Sequence, residues 1–340
     1  MAIRVSDDDP KGAAAHELQT LVSELYDDYK SLTDGEVATY IPELAKANPD
    51  HFGICVVTAA GRVFEAGDLD VPFTIQSGSK PFAFGMALEE FGHEHVGKYV
   101  DIEPSGDAFN SIELRNGTNR PHNPMVNSGA IAVTALLHQR HGPATFDHVL
   151  ACFSAAAGRQ LSIDHAVYES ERRTGHRNRA IAHLLLNFGL VPDDVEAALD
   201  VYFRQCAILV TCRDLAMMAA TLSNMGRNPV TDQGVFDLRC VKDMLSIMFT
   251  CGMYDYSGQW AYRVGVPAKS GVGGGVMAVV NRQIGIATYS PKLDAHGNSR
   301  RGIEVCVEMA SRLGLHVFDC LNVGSSFLGG VLSERPTDVR

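Results

Sequence analysis

"FTIQSGSKPFAF", residues 73–84, changes its periodicity in the middle. Phe73, Thr74 and Ile75 make an apolar run of strand character. Past Ser77 the apolar residues recur at Phe82, Met86, Leu88 and Phe91, the pattern of a helix that faces a core. Pro81 is tolerated only in a first helical turn and disfavours helical geometry at the residue before it, so the helix must start here. A strand therefore hands over to a buried helix where Ser77 and Lys80 stand three residues apart, on one face of the new turn.

Working outward, "HELQTLVSELYDDYKSL" (16–32) has the spacing of an amphipathic helix, and "FGICVVTAAGRVFEAGD" (52–68) reads as a β-hairpin turning at "TAAGR". From residue 77 to about 250 the pattern is mainly helical: "NSGAIAVTALLHQ", "NRAIAHLLLNFGL", "VEAALDVYFRQCAIL", "CRDLAMMAATLSNMG" and "VKDMLSIMFTC". Several of these are apolar nearly all round, which implies burial. "WAYRVGVPAKSG" then reads as a strand, "GVMAVVNRQIGIATYSP" as two strands around "NRQ", and "GIEVCVEMASRLGL" as a closing helix. Strands joined by such short turns pair antiparallel, because a parallel pair needs a long crossover. The expectation is an α+β fold: one antiparallel sheet built from both ends of the chain, flanked by the terminal helices, with a large helical domain inserted. The boundaries are 1–76 plus 255–340 for the sheet domain and 77–254 for the helical domain, with the active site between them. The tail "SERPTDVR" reads as frayed.

Composition narrows the function. The 340 residues are 46% hydrophobic and 20% charged, with net charge −11. The densest basic runs, "ERRTGHRNR" (171–179) and "NSRRG" (298–302), are short and lack interleaved aromatics, so nucleic acid is not an expected partner. No uninterrupted apolar run is long enough to span a bilayer, and the start of the chain carries no basic stretch followed by an apolar one, so no export signal is read. Eight widely spaced cysteines with no C-x-x-C pair suit buried, reduced thiols. The expected compartment is the cytoplasm. His93 and His95 in "GHEHVG" lack a third ligand nearby and read as a polar helix end, not a metal site.

A serine hydroxyl becomes a nucleophile when a base takes its proton, and a desolvated lysine can be that base. Free backbone N–H groups at a helix start can hold the oxyanion that follows. The alternative is a helix cap beside a solvated lysine. With 21 serines and eight lysines, about half an S-x-x-K is expected by chance, so the motif needs a partner. One appears in "PAKSGVGGG" (267–275): Lys-Ser-Gly on a strand beside glycines that let a backbone approach closely. S-x-x-K with a later K-[ST]-G is the pairing of penicillin-recognising serine enzymes. The competing readings of 271–275 are a phosphate loop, a poor fit because no Lys-Ser/Thr follows the glycines and a strand comes next, and a plain glycine-rich turn.

At this level of detail the chain resembles the serine-dependent glutaminases, amidohydrolases with a β-lactamase-like fold. The resemblance runs in order through "YIPELA" (40–45), "QSGSKP" (76–81), "EPSG" (103–106), "PHNPMVNSGAI" (121–131), "SERRTGHRN" (170–178), "DVYFRQC" (200–206), "CGMYDYSGQWAYRVGVPAKSGVGGG" (251–275) and "SPKLDAHGNSRRG" (290–302). It covers about residues 20–315. It implies L-glutamine as substrate, Ser77 as nucleophile, Lys80 as proton shuttle, and Tyr254 beside the serine as a further proton carrier. Which of Lys80 and Tyr254 is the base in each step stays open. The resemblance also implies that the backbone N–H of Val272 completes an oxyanion hole with that of Ser77. Asn127, Glu171, Asn178, Tyr202 and Tyr40 would hold the amino-acid end of the substrate. Their chemistry suits free glutamine, since a buried carboxylate can pair with an ammonium while amide and phenol donors can bond a carboxylate. No metal, nucleotide or organic cofactor is implied, and a homodimer or homotetramer is. "SGDAFNSIELRNGTNR" (105–120) matches a loop beside the active site, and the chain looks like the short single-module form. A penicillin-type hydrolase and a non-catalytic binding module on the same fold are the alternatives.

Overall fold

The hairpin expected at 52–68 forms, and it joins strands from the far end of the chain. The computed structural model describes residues 10–106 and 112–319, with side chains from residue 15. The amino-terminal stretch read for an export signal and the tail "SERPTDVR" fall largely or wholly outside the described residues, as does the middle of the 105–120 segment.

In chain order, α1 (Pro10–Tyr29) leads through β1 (Glu36–Val37) to the hairpin β2 (Gly53–Thr58) and β3 (Val63–Gly67), then to β4 (Phe73–Thr74). The helical stretch holds α2 (Lys80–Val96), α3 (Asn127–His141), α4 (Thr145–Ala157), α5 (His165–Thr174), α6 (His176–Asn187), α7 (Val195–Cys206), α8 (Cys212–Ser223), α9 (Leu238–Cys251) and α10 (Ser257–Arg263). Two short strands lie within it, β5 (Ser162–Ile163) and β6 (Ile208–Val210). The chain closes with β7 (Ala268–Ser270), β8 (Gly275–Val280), β9 (Ile284–Tyr289), β10 (Lys292–Leu293) and α11 (Arg300–Leu313).

The main sheet has the order β3-β2-β9-β8-β7, every neighbour antiparallel. Side chains alternate across a strand, so each strand serves two cores. Ile54, Val56, Val276, Ala278 and Val280 join α1, α10 and α11 on one face. Cys55, Val57, Met277, Val279 and Tyr289 join α2, α4, α8 and α9 on the other. At Gly285 in β9 a Cβ would stand 2.2 Å from the Ala220 backbone nitrogen of α8, so α8 lies directly on the sheet. A third cluster gathers α3 and α5–α7 with Val272 and Tyr254, and it borders the site.

Two local expectations are corrected. "CAIL" does not continue α7: that helix ends at Cys206, and Ile208–Val210 pairs with both β4 and β5 in a small separate sheet. The β-branched Ile208 and Val210 favour that strand, and Thr211 restarts a helix through a capping box with Asp214. "WAYR" belongs to α10, not to a strand; Trp260 is fully buried and its Nε1–H donates to Val266 O at 2.8 Å. The strand expected there begins only at Ala268. His93 meets Asp243 at 3.1 Å and His95 packs against the Phe91 and Tyr99 rings, at the polar end of α2.

Candidate active site

Ser77 sits in a 3₁₀ turn, Gln76–Ser79, that runs directly into α2 at Lys80; Pro81 falls in the first helical turn as expected, but Lys80 before it is itself helical (φ −60°, ψ −44°), against the local preference. Gln76, just before the serine, has φ 49°, a left-handed conformation that L-residues rarely adopt. The surrounding packing over-determines it: Gln76, Ser77, Gly78, Ser79 and Lys80 are all buried. Ser79 Oγ donates to Gln76 O and accepts from Gln205 Nε2 at 3.0 Å, which ties the turn to α7.

The loop after β7 comes down on this turn. At Gly273 a Cβ would lie 2.5 Å from Thr74 O, so no side chain can be accommodated there. Val272 is thereby held against the start of α2 and is itself buried. Among the described residues neither the Ser77 nor the Val272 amide donates to a backbone carbonyl.

Lys80 is 1% exposed. Its Nζ donates to Met125 O at 3.1 Å and to Asn127 Oδ1 at 2.7 Å. Burial pulls its pKa down to about 8, while Cys206 and the Glu171 carboxylate push it back up. A neutral amine has two hydrogens and one lone pair. The two acceptors account for both hydrogens, which leaves the lone pair for a third partner, with Ser77 one turn before it.

Asn127 does not cap α3; Val126 holds that position, and Asn127 is the first helical residue. Its Oδ1 accepts from Lys80 Nζ and lies 3.5 Å from the donating Tyr202 hydroxyl, while its Nδ2–H donates to Asn178 Oδ1 at 3.1 Å. Glu171, in the last turns of α5, is 6% exposed, and burial raises its pKa to about 8 against the pull of Lys80. Its Oε2 finds no hydrogen-bond donor among the described residues. Gly175 brings α5 and α6 onto α7: a Cβ there would be 2.7 Å from the Phe203 ring, so "TGHRN" can pass close enough for Glu171 and Asn178 to face one space.

Tyr254 has φ 58° and is buried. Its hydroxyl donates to Ser270 O at 3.0 Å. Burial pushes its phenol well above the ordinary value, partly offset by its hydrogen bond with Ser77. Lys269, the lysine of Lys-Ser-Gly, lies 4.2 Å above that ring and donates to Gly252 O (2.8 Å) and Ser270 O (2.7 Å). Burial, reinforced by the charge of Lys80, drives its pKa well below the ordinary value. Residue types alone gave Lys269 no individual role; its place under Tyr254 shows only in three dimensions. Tyr40 is 54% exposed and stands at the rim, near enough for Glu171 and Tyr254 to act on its phenol electrostatically.

A mainly apolar cavity of about 290 Å³ adjoins Tyr254 and is lined by Pro104, Ser105, Met125, Val126 and Asp255 among others. A second, of about 300 Å³, lies beside Val272 and Gly273 but includes none of Ser77, Lys80 or Glu171. The first meets the candidate site at Tyr254 and the second at Val272, and neither is lined by Ser77, Lys80 or Glu171. Chemically, the arrangement offers a hydroxyl beside a depressed lysine and a phenol, two backbone donors, and a buried carboxylate with one oxygen that lacks a donor.

The family model described as Glutaminase matches residues 35–318. The chain belongs to the glutaminase family. A relative from Trichormus variabilis, "Glutaminase", is 54% identical over 306 residues, 90% of this chain and 92% of its own. Among solved structures, "Crystal Structure Analysis of Mglu in its glutamate form" matches with TM-score 0.86 at 41% identity, covering 92% of this chain and 72% of the other. "Probable glutaminase ybaS" matches with TM-score 0.85 at 40% identity, covering 89% and 99%. The glutaminase fold is β-lactamase-like, as the pairing of S-x-x-K with Lys-Ser-Gly led one to expect. Among the described residues no helix is long and apolar enough to cross a membrane.

Proposed function

We propose that this glutaminase hydrolyses L-glutamine to L-glutamate and ammonia through a glutamyl ester on Ser77. The observation that carries the reading is the convergence on one space of Ser77, the desolvated Lys80 and the carboxylate oxygen of Glu171 that lacks a donor. An α-ammonium would supply that donor as a charge-assisted bond. The substrate carboxylate would be held by Asn178, Tyr202 and the amide of Asn127, with Tyr40 closing the rim.

In the first step neutral Lys80 takes the Ser77 proton, Oγ bonds to the side-chain amide carbon, and the Ser77 and Val272 amides hold the oxyanion. Tyr254, kept as a neutral phenol by its burial, is the donor suited to protonate the departing nitrogen. The C–N bond breaks and ammonia leaves. Water then attacks the ester and gives a proton to the Tyr254 phenolate, a second oxyanion forms in the same place, and the C–Oγ bond breaks as Lys80 returns its proton to Oγ, releasing glutamate and restoring the serine. In this reading the site lies between a sheet part, 1–76 with 255–340, and a helical part, 77–254.

The test is ammonia release from L-glutamine by the purified protein beside Ser77→Ala, with a chromogenic β-lactam as a control. Release by the parent and a loss of about 10⁴-fold or more in the variant is the expected result. β-Lactam turnover without ammonia would make it a penicillin-type hydrolase, and silence on both would leave a binding module. The same reading gives a cytoplasmic homodimer or homotetramer. All seven cysteines among the described residues are unpaired, which supports a reducing compartment, and light scattering on the purified protein decides the subunit count.

A further inference from the structure

We propose that Glu90, His141 and His148 form a binding site for a divalent transition-metal ion of the zinc class, outside the catalytic centre. Glu90 lies in α2, His141 is the last residue of α3, and His148 stands in the first turn of α4. Three helices thus each contribute one ligand. His141 Nε2 is 2.8 Å from Glu90 Oε2, and His148 Nε2 is 2.9 Å from Glu90 Oε1. One ligand atom from each residue lies within 4.8 Å of the others, and the two imidazoles face each other with centroids 4.3 Å apart.

That spacing fits the chemistry. Zinc holds imidazole nitrogen and carboxylate oxygen at about 2.0–2.2 Å in a tetrahedron, so its ligand atoms stand roughly 3.3 Å apart. An ion can enter between the three groups with modest side-chain shifts. Two imidazoles and a carboxylate are a donor set for zinc and its neighbours, not for calcium, which demands oxygen alone. The His148 and His141 side chains are 45% and 25% exposed, so the ion has a path in and water can fill the fourth position.

Each imidazole Nε2 stands at hydrogen-bond distance from a carboxylate oxygen of Glu90. A bound ion needs the Nε2 lone pair, which places the ring proton on Nδ1 in the metal-bound form. One charge opposes the site: Arg140 Nε is 3.3 Å from Glu90 Oε2. Its side chain is half exposed and packs over the Phe91 ring, so it can keep that contact while releasing the carboxylate to the ion.

The position gives the site a consequence. Helix α2 begins at Lys80 and α3 at Asn127, and the proposed ligands lie toward the opposite ends of both, about 15 Å along α2 from Lys80. A bound ion would lock the packing of α2, α3 and α4 without touching the reacting atoms.

The test is calorimetric titration of the whole protein with Zn²⁺ near neutral pH, with thermal unfolding in parallel. One Zn²⁺ per chain and a raised Tm are expected. His148→Ala and Glu90→Gln should each weaken binding about tenfold or more while ammonia release stays within about twofold of the parent. Acidification should abolish binding, because protons compete for the imidazole nitrogens. Co²⁺ in place of Zn²⁺ should give the visible absorption of a tetrahedral nitrogen–oxygen site, lost in both variants. No heat and no Tm change up to millimolar Zn²⁺ would overturn the proposal. So would binding of unchanged affinity in the two variants, which would place the ion on the thiols or elsewhere. Both readouts are independent of whether the chain hydrolyses glutamine.

Discussion

Two lysines of this protein are buried almost equally, Lys80 at 1% exposure and Lys269 at 0%, yet their surroundings differ. Lys80 stands at the start of α2 with the Glu171 charge nearby, and it settles near 8, poised to hold or lose a proton at working pH. Lys269, on β7, has two backbone carbonyls, an aromatic face and the repulsion of Lys80, and it is driven much further down. Burial alone makes a neutral lysine. Lys80 is held partly up by Cys206 and Glu171 beside it, whereas the charge of Lys80 adds to the burial of Lys269 and pushes it the other way.

The comparison can be broken at four points. The largest effect belongs to Lys80→Met, which should lower kcat/KM about 10⁴-fold, since in the proposed mechanism its lone pair takes the Ser77 proton. If Lys269→Met were equally damaging to kcat, the division of labour between the two lysines would be wrong. Glu171→Gln comes next: kcat/KM should fall roughly tenfold to a hundredfold, mostly through KM, because a neutral amide cannot pair with an ammonium.

The pH profile sharpens the same contrast. In the proposed mechanism both Lys80 and Glu171 act deprotonated, so kcat/KM should climb through a limb centred near 8 and be lost below it. The two groups interact, and the limb belongs to the pair. Since the Glu171 charge raises the lysine, the limb that remains in Glu171→Gln should move to lower pH.

The smallest effect is on stability. Lys269 is depressed in the folded protein and ordinary, about 10.4, once unfolded. Between those values the unfolded chain binds the extra proton, so this lysine's contribution to stability grows as pH rises. Compared with Lys269→Met, the wild type should gain stability as pH rises toward the unfolded value, by at most about 1.4 kcal/mol per pH unit, measured by denaturant unfolding of both proteins at each pH. A constant difference would mean that Lys269 is charged in the folded protein.

The legible and illegible parts of the fold differ in physical kind. The hairpin at 52–68, the strands around "NRQ" and the handover at Pro81 were legible because alternation, turn residues and proline geometry are local. "CAIL" misled because a short apolar run carries no period, and its strand exists only through pairing with β4 and β5. "WAYR" misled because a seven-residue helix is too short to show one. At the site, Ser77 and Lys80 announced themselves by spacing. Asn127, Glu171, Asn178 and Tyr202 came only from the resemblance, since each is an ordinary residue until the helices that carry them converge. Glu90, His141 and His148 gave no signal at all: Glu90 lies some fifty residues before the first of these histidines, and only the packing of α2 on α3 unites them.

The register of the main sheet also bears on how the chain is made. Thr58 in β2 pairs with Ile284 in β9, more than two hundred residues later. At about 5–20 residues per second, a ribosome needs roughly 10 to 45 s to deliver the partner strand. During that interval the nascent β2–β3 hairpin presents an unpaired edge, with the apolar Ile54 and Val56 on one face and Cys55 and Val57 on the other. Such an edge invites pairing with a neighbouring chain. The architecture that encloses the helical segment between two ends of one sheet therefore leaves its first hairpin edge open until the far end of the chain has been made.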